Sequence, residues 1–407
     1  MTKQQTTPEL RFLGFNEKWK SNTLDQITTI LKDGTHGTHK DSIDGPWLLS
    51  AKNLKNNKIL ISENDRKINQ ADFERIYKNY NLKRGDLLLS IVGTIGNVAI
   101  IENPENIAFQ RSVAILRIKS EFFNKFFFNL VQTYSFKKKL KRNQVVSAQP
   151  GIYLGDLGKF QINFPSNIKE QEKIGQFFNK LDRQIELEEE KLELLEQQKK
   201  GYMQKTFTQE LRFKDKNEND YPKWETKKIK ELGNVYTGNT PSKKQSEYWD
   251  SKTYIWVTPT DIKDTKNLKS SEYMLSNEGF KKARQLPKNT LLITCIASIG
   301  KNAILREVGA CNQQINALVP IDNNDVDFLY YAFEKVSKYM KRIAGKTATQ
   351  IVNKSTFENI IVKVPNFEEQ KKLGNFLNSL DKLIEKQLNK VRLLKQRKQG
   401  LLQKMFV

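Results

Sequence analysis

Two segments of the chain, residues 169–207 and 368–406, carry apolar residues at alternating spacings of four and three positions. That rhythm predicts long α-helices, each with one narrow apolar seam of the coiled-coil kind. Polar residues such as Lys199 and Lys398 interrupt the two seams at matching places. The seam residues are Leu181, Ile185, Leu192 and Leu195 in the first helix, and Leu380, Ile384, Val391, Leu394 and Leu401 in the second.

Ahead of each helix the pattern changes to short apolar runs separated by turn residues. Residues 82–101 and 286–305 each predict two strands around a turn that carries glycine. Residues 121–142 and 326–344, rich in Phe, Tyr and Lys, predict helical segments. We assign the phenylalanines of the first of these segments to core packing. Each globular part is therefore predicted to be α+β.

The two predicted helices are copies of one sequence, with 19 of 39 aligned positions identical and no gap. The repetition extends upstream, where residues 9–12 recur as 210–213 and residues 94–96 are matched by 298–300. A unit of about 200 residues thus occurs twice. The predicted division is a first globular domain with its leading segment (1–165), a central helix (166–208), a second globular domain with its leading segment (209–365) and a C-terminal helix (366–407).

Charge predicts that the two helices pair with each other. The first is rich in Glu and the second in Lys and Arg, so that Glu193 is matched by Arg392 and Glu196 by Lys395. Opposite charge on copies of one helix favours their mutual pairing. Pseudo-two-fold symmetry would make the pair antiparallel and bring Val407 near Glu9. The alternative is two independent helices, each docked on its own domain.

The chain has 69 Lys and Arg against 46 Asp and Glu, a net charge of +23. A positive surplus of this size attracts polyanions and favours nucleic acid as a partner, although a solvated lysine-rich surface would have the same composition. The sequence carries no signal-peptide pattern and no long apolar stretch, which predicts a soluble, cytoplasmic protein. Cys295 and Cys311 are expected to be buried apolar residues, with no metal bound.

Polar and basic residues fall at equivalent places in the two copies. Two loops jointed by glycine, residues 33–40 and 236–243, offer hydroxyls, amides and a lysine suited to phosphates and base edges, although surface turns have the same composition. A zinc site at His36 and His39 is disfavoured because no further ligands are spaced nearby. The candidate DNA contacts are Thr35, His36, Thr38, His39, Lys40, Gln110, Arg111, Lys141, Arg142, Ser147 and Gln149 in the first copy, and Thr237, Asn239, Thr240, Ser242, Lys243, Asn312, Gln313, Gln314, Lys341, Arg342, Thr347, Thr349 and Gln350 in the second.

Motifs of catalysis are missing from the sequence. It contains no phosphate-binding P-loop, no hydrolase GxSxG, no HExxH and no Asn/Asp-Pro-Pro-aromatic tetrad for holding a flipped base. These absences favour a DNA-binding subunit without catalysis of its own. Two other classes stay open, a stand-alone DNA-binding or architectural protein and a nuclease with an unrecognised site.

The layout resembles the specificity subunit of type I restriction–modification enzymes along essentially the whole chain. The resemblance rests on the leading segments with Trp19 and Trp224, on the two glycine loops, and on repeated helix residues, namely Glu170-Gln171, Leu181-Asp182 and Gly201 in the first copy and Glu369-Gln370, Leu380-Asp381 and Gly400 in the second.

The resemblance implies a function in DNA modification and restriction. Each globular domain would be a target-recognition domain that reads one half of a split, asymmetric target in double-stranded DNA. Two methyltransferase subunits that use S-adenosylmethionine would dock on the helices, and ATP- and Mg²⁺-dependent restriction subunits could join them, while this chain would hold no cofactor. The seam from Leu181 to Phe207 measures about 40 Å, on the order of 12 base pairs of DNA, so the helices would set the spacer between the half-targets.

Overall fold

The computed structural model describes residues 7–145, 150–263, 265–344 and 351–407. The chain forms two compact units. The first comprises the residues up to Glu190 together with Asn389–Val407, and the second comprises Lys191–Leu388. Each unit takes one globular part and a portion of both long helices. The sequence-based division into four consecutive segments stays a prediction.

The elements of the first unit are β1 (Lys20–Thr23), β2 (Thr28–Asp33), β3 (Trp47–Leu49), β4 (Leu54–Lys55), β5 (Lys58–Ile59), α1 (Gln70–Ile76), β6 (Leu87–Ser90), β7 (Val98–Ile100), β8 (Ile107–Phe109), β9 (Val113–Ile118), α2 (Asn124–Leu130), α3 (Tyr134–Arg142), α4 (Leu154–Gly158), β10 (Gln161–Phe164) and the start of α5 (Ile168–Thr208). Its main sheet is four-stranded and antiparallel, with the order β2-β9-β6-β7. The unit also contains the antiparallel pairs β1-β10 and β4-β5 and the parallel pair β3-β8.

The elements of the second unit are β11 (Glu225–Lys228), α6 (Ile229–Leu232), β12 (Gly233–Thr237), β13 (Tyr254–Val257), β14 (Asn267–Leu268), β15 (Tyr273–Leu275), α7 (Asn277–Lys282), β16 (Thr290–Thr294), β17 (Asn302–Leu305), β18 (Gly309–Cys311), β19 (Ile315–Pro320), α8 (Val326–Ala344), α9 (Lys354–Glu358), β20 (Ile361–Val364) and the start of α10 (Phe367–Met405). The plan of the first unit recurs: a sheet with the order β12-β19-β16-β17 is extended by β14, and β11 pairs with β20 in the antiparallel sense. The parallel pair β13-β18 is extended by β15.

The expectation of two α+β copies is confirmed. The two predicted hairpins are the antiparallel pairs β6-β7 and β16-β17. The predicted segment 121–142 forms two helices because the Thr133 side chain accepts a hydrogen bond from the Phe136 backbone N–H and starts a new helix at α3. Phe126 and Phe127 are buried in the core of the first unit, as the packing interpretation required.

The end of each long helix closes a core through one aromatic triad. In the second unit the Phe207 ring, at the end of α5, lies 6.0 Å from the Trp224 ring and 5.8 Å from the Phe328 ring. In the first unit the Phe406 ring, one residue after α10, lies 6.3 Å from the Trp19 ring and 5.1 Å from the Phe126 ring. The expected approach of the chain end to the leading segment is confirmed, since the Leu10 backbone N–H donates to the Lys404 carbonyl over 2.9 Å.

Within the described ranges, no helix is both long enough and apolar enough to cross a membrane. The same residues contain no group of three or more His, Cys, Asp and Glu side chains arranged to hold a metal ion. Both cysteines are buried thiols, as expected.

Candidate nucleic-acid interface and helix pair

In the first unit the glycine loop lies against the residues that follow β8. A Cβ on Gly34 would stand 2.0 Å from the Phe109 carbonyl oxygen, so only glycine permits this approach. The Thr35 backbone N–H donates to Phe109 O over 2.7 Å, and the Arg111 N–H donates to Thr35 O over 3.0 Å. The structure thus brings two of the predicted contact sites, the loop and Gln110-Arg111, side by side.

Hydrogen bonds between its own side chains stabilise the conformation of this loop. The Thr35 hydroxyl and His39 Nε2 are 2.7 Å apart, and His36 Nε2 lies 2.6 Å from an Asp33 carboxylate oxygen. The Lys40 backbone N–H donates to the Asp72 carboxylate, a hydrogen bond that lowers the pKa of that carboxyl. The loop therefore has a defined conformation held by hydrogen bonds, and His36, Thr38 and Lys40 are exposed to solvent.

The second unit repeats the arrangement with different side chains. A Cβ on Gly238 would stand 2.2 Å from the Cys311 carbonyl oxygen, and the Asn239 backbone N–H donates to that oxygen over 3.0 Å. The Thr240 hydroxyl donates to Gln313 Oε1 over 2.7 Å. As in the first unit, the loop and the residues after the equivalent strand form one polar surface.

Several predicted contact residues of the second unit form hydrogen bonds with other residues of that unit. The Asn239 amide donates to the Lys282 carbonyl and its oxygen accepts from the Arg284 backbone N–H. The Thr237 hydroxyl donates to Asn316 Oδ1 over 2.8 Å. The buried Asn312 side chain accepts from the Gln314 N–H and donates to Gln314 Oε1. These groups shape the loop, which leaves the exposed neighbours to face solvent.

The basic residues predicted to contact phosphates lie in the last turns of the helices α3 and α8. In both units that helix lies near a glycine turn: a Cβ added to Gly96 would stand 3.5 Å from Leu140 in α3, and one added to Gly300 would stand 3.1 Å from Ser337 in α8. Lys141-Arg142 and Lys341-Arg342 therefore both lie near the C-terminal end of a helix. Ser147, Gln149, Thr347, Thr349 and Gln350 lie outside the described residues.

Solvent exposure sorts the remaining predicted contact residues. The exposed ones are His36, Thr38, Lys40, Arg111, Lys141, Arg142, Asn239, Ser242, Lys243, Gln313, Lys341 and Arg342, the half-buried ones are Thr35, His39, Gln110, Thr237, Thr240 and Gln314, and Asn312 is buried. All of these residues stay predicted DNA contacts.

The predicted antiparallel helix pair is confirmed within each unit. In the first unit Lys390 and Lys395 of α10 form ion pairs of 2.5 Å with Glu188 and Glu189 of α5, as opposite helix charges predicted. Among the predicted pairing residues, Leu181, Ile185 and Val391 are buried, whereas Leu192, Leu195, Leu380, Ile384, Leu394 and Leu401 are half-buried.

The lysines that interrupt the seams form equivalent ion pairs that the sequence interpretation missed. In the first unit Lys398 is buried, lies 2.6 Å from Asp182 and donates to Gln132 Oε1 over 3.1 Å. In the second unit Lys199 lies 2.6 Å from Asp381, which also accepts from the Tyr331 hydroxyl. Each seam lysine thus binds the opposite helix beside a residue of the globular part. The repeated Leu-Asp pair was a signal that could have identified these joints.

A second duplicated joint fixes each leading segment. The Arg11 guanidinium binds Glu170 through two hydrogen bonds of 2.6 and 2.7 Å, and Arg212 binds Glu369 over 3.1 and 2.6 Å. Both carboxylates are buried. Hydrogen bonding to the carboxylate raises the pKa of each arginine. The repeated Glu-Leu-Arg-Phe segments therefore mark structural joints, a pairing that sequence reasoning did not make.

An exposed leucine and a glycine recur on one flank of both helices. Leu194 and Leu393 are each 59% exposed. Gly201 and Gly400 follow them by seven residues, hence on the same helix flank, and a Cβ on either glycine would meet no atom within 4 Å. Glycine inside a helix costs about 1 kcal/mol relative to alanine. Packing within the chain explains neither the exposed leucines nor the glycines.

Known proteins resemble this chain in sequence and in fold. The family model described as the type I restriction modification DNA specificity domain matches twice, over residues 16–197 and 221–393. The chain is 34% identical over 186 residues to the MjaIX specificity subunit of Methanocaldococcus jannaschii, covering 44% of this chain and 43% of that protein. It is 30% identical over 188 residues to the HindI specificity subunit of Haemophilus influenzae, covering 42% and 39%. These matches span less than half the length of the two relatives.

Solved structures support the same fold over the full chain. The S subunit of a type I restriction–modification system from M. genitalium superposes with a TM-score of 0.63 at 18% identity, covering 98% of this chain and 99% of that one. A chain from a type I system studied for complex assembly and conformational transition gives a TM-score of 0.57 at 16% identity, covering 95% and 97%. Because both matches of the family model together span most of the sequence, the chain belongs to the family of type I restriction–modification specificity subunits.

Proposed function

We propose that this chain reads a split, asymmetric sequence in double-stranded DNA and carries no catalysis of its own. The observation that carries the proposal is the duplicated polar surface. In each unit a glycine loop is hydrogen-bonded to the residues after an equivalent strand, and the two copies present different side chains. Two readers of one design with different surfaces suit two different half-targets. The net charge of +23 supplies the attraction to phosphates.

The paired helices would set the length of the unread spacer. α5 has 41 residues and α10 has 39, and in each unit they run antiparallel. A helix has a fixed rise of 1.5 Å per residue, so a rigid pair acts as a ruler along the duplex. Half-sites of other two-fold DNA-binding proteins are likewise spaced by protein geometry.

The duplicated leucine and glycine would be docking points for two methyltransferase subunits, one per copy. An exposed leucine beside a bare helix backbone lets a partner insert an apolar side chain at close range. The duplication supports two identical partners. S-adenosylmethionine would be bound by these partners, and ATP and Mg²⁺ by restriction subunits that join the complex.

The test is methylation mapping by long-read sequencing in a host that expresses this chain with its neighbouring methyltransferase subunit. We expect a split, asymmetric adenine motif that disappears when only this chain is deleted. Unchanged methylation, or a continuous palindromic motif, would contradict the proposal and favour a stand-alone DNA-binding protein. Cleavage of DNA by the purified chain with Mg²⁺ alone would instead favour a nuclease.

A further inference from the structure

Arg111 and Gln313 occupy the same place in the two units. Each is the second residue after the strand whose last carbonyl, Phe109 O or Cys311 O, accepts a hydrogen bond from the glycine loop. Both side chains are exposed. A shared backbone frame with two different exposed side chains is what a pair of base readers requires.

The two side chains offer different hydrogen-bonding patterns. Arginine carries five donors and no acceptor, and across the described part of the chain the Arg111 guanidinium forms no ion pair that would hold it away from a ligand. Guanine presents two acceptors, O6 and N7, in the major groove, and a fork of two parallel donors satisfies both. An adenine would oppose the same donors with its N6 amino group.

Gln313 is oriented by its neighbour. The Thr240 hydroxyl donates to Gln313 Oε1 over 2.7 Å, which leaves both Nε2 hydrogens and one Oε1 lone pair for a ligand. Adenine presents an acceptor at N7 beside a donor at N6, the complement of an amide. Thr240 thereby limits rotation of the amide, which reduces the entropy lost when a base is bound.

We propose that Arg111 reads a guanine in one half-target and Gln313 reads an adenine in the other. This assignment rests on the proposed function, since it requires that the two units bind DNA. It goes beyond that function because it names a base identity and the residue that selects it in each half. A bidentate contact of this kind discriminates against the wrong base by roughly 5- to 150-fold.

The experiment compares methylation motifs of the complete complex carrying the wild-type chain, Arg111→Ala, Arg111→Gln, Gln313→Ala and Gln313→Arg. We expect Arg111→Ala to relax one guanine position of one half-target by at least fivefold, with the other half unchanged. Gln313→Arg should convert one adenine position of the opposite half to guanine, and Arg111→Gln should do the reverse in its own half.

Two controls separate the possible failures. Arg84, exposed and paired with Glu102, is a matched arginine outside the loop, and Arg84→Ala should relax no base position. If the wild-type chain gives a split motif and the Arg111 and Gln313 variants leave every position unchanged, the assignment is wrong while the proposed function stands. If the wild-type chain gives no split motif, the proposed function itself fails. If an alanine variant loses all methylation, Arg111→Lys or Gln313→Asn replaces it in the comparison, because each retains hydrogen-bond donors. Each of these variants should preserve methylation of the half-target that its own unit reads.

Discussion

Arg11 binds Glu170 in the first unit and Arg212 binds Glu369 in the second, whereas the exposed second residue after the equivalent strand is Arg111 in one and Gln313 in the other. The buried joints are chemically the same and the exposed surfaces are not. A buried ion pair tolerates little change, because removing one partner leaves an uncompensated charge. An exposed side chain on a fixed loop can change with little effect on folding. Comparison of the two copies therefore shows which contacts hold each unit together and at which exposed positions the side chain can change.

The largest expected effect comes from breaking one joint at a time. Arg11→Met or Arg212→Met leaves a buried carboxylate without its partner, which we expect to reduce the free energy of unfolding of the affected unit by about 3–5 kcal/mol. The double variants Arg11→Met/Glu170→Met and Arg212→Met/Glu369→Met should recover most of that loss. Urea unfolding measures the change. Lys404→Met, which removes an exposed pair with Glu9, is the control, at about 0–1 kcal/mol.

Thiol labelling assigns the loss to a unit, because Cys295 and Cys311 both lie in the second. Burial raises the pKa of each thiol to about 12, so neither is ionised at pH 8 in the folded unit. Unfolding returns them to roughly 8.5, where labelling is fast. Arg212→Met should therefore accelerate labelling and Arg11→Met should not. Equal acceleration by both variants would show that the units do not open separately.

The next effect concerns the glycine that brings each loop to its strand. Gly34→Ala or Gly238→Ala would push a Cβ to within 2.0 or 2.2 Å of a backbone oxygen, so the loop must move, at a cost of about 1–3 kcal/mol. We expect each variant to weaken recognition of one half-target at least tenfold and to leave the other intact, as measured by methylation of paired target libraries. Gly155→Ala, where a Cβ meets open space, should leave both halves unaffected. Loss of the same half-target from both variants would refute the two-reader comparison.

The proposed docking points come next. Leu194→Asp and Leu393→Asp place a charge on a surface where an apolar contact is expected, and each should weaken binding of one methyltransferase subunit at least tenfold, about 1.4 kcal/mol or more. Analytical ultracentrifugation would then show complexes with one partner for each single variant and none for the double variant. Lys382→Asp, another exposed position on α10, should leave two partners bound.

The smallest effect is the replacement of the helical glycines. Gly201→Ala and Gly400→Ala should each stabilise the isolated chain by about 0.5–1 kcal/mol, because alanine favours a helix and the added Cβ meets no atom. If a partner approaches the helix backbone at these positions, the same variants should weaken its binding. Stabilisation with unchanged partner affinity would remove the glycines from the docking surface while leaving the leucines in it.

The sequence predicted those features that depend on periodicity and repetition. The long helices, their antiparallel pairing and both hairpins followed from spacing and from the two matched copies. The heptad rhythm assigned Leu195 and Leu394 to the seams, where they are half-buried, but it did not predict how much more they are covered than their exposed neighbours Leu194 and Leu393. That distinction depends on the rotation of each helix about its axis, which packing decides.

Contacts between distant segments were also beyond the sequence. The proximity of Gly34 to Phe109 and of Lys398 to Asp182 depends on how the chain folds back, and local pattern carries no distance. The repeat did indicate that these residues matter, since Asp182 and Asp381 recur at one position. It could not indicate what each one touches.

The aromatic triads set an order of maturation during synthesis. The second unit is continuous, Lys191–Leu388, whereas the first unit also needs Asn389–Val407, so its Trp19 and Phe126 acquire Phe406 only after that later segment has been translated. At 5–20 residues per second, synthesis of residues 191–407 takes on the order of 10 to 40 s. The unit that begins first along the chain is thus completed after the other one, and during that interval we expect its exposed aromatic site to be accessible to chaperones and prone to aggregation.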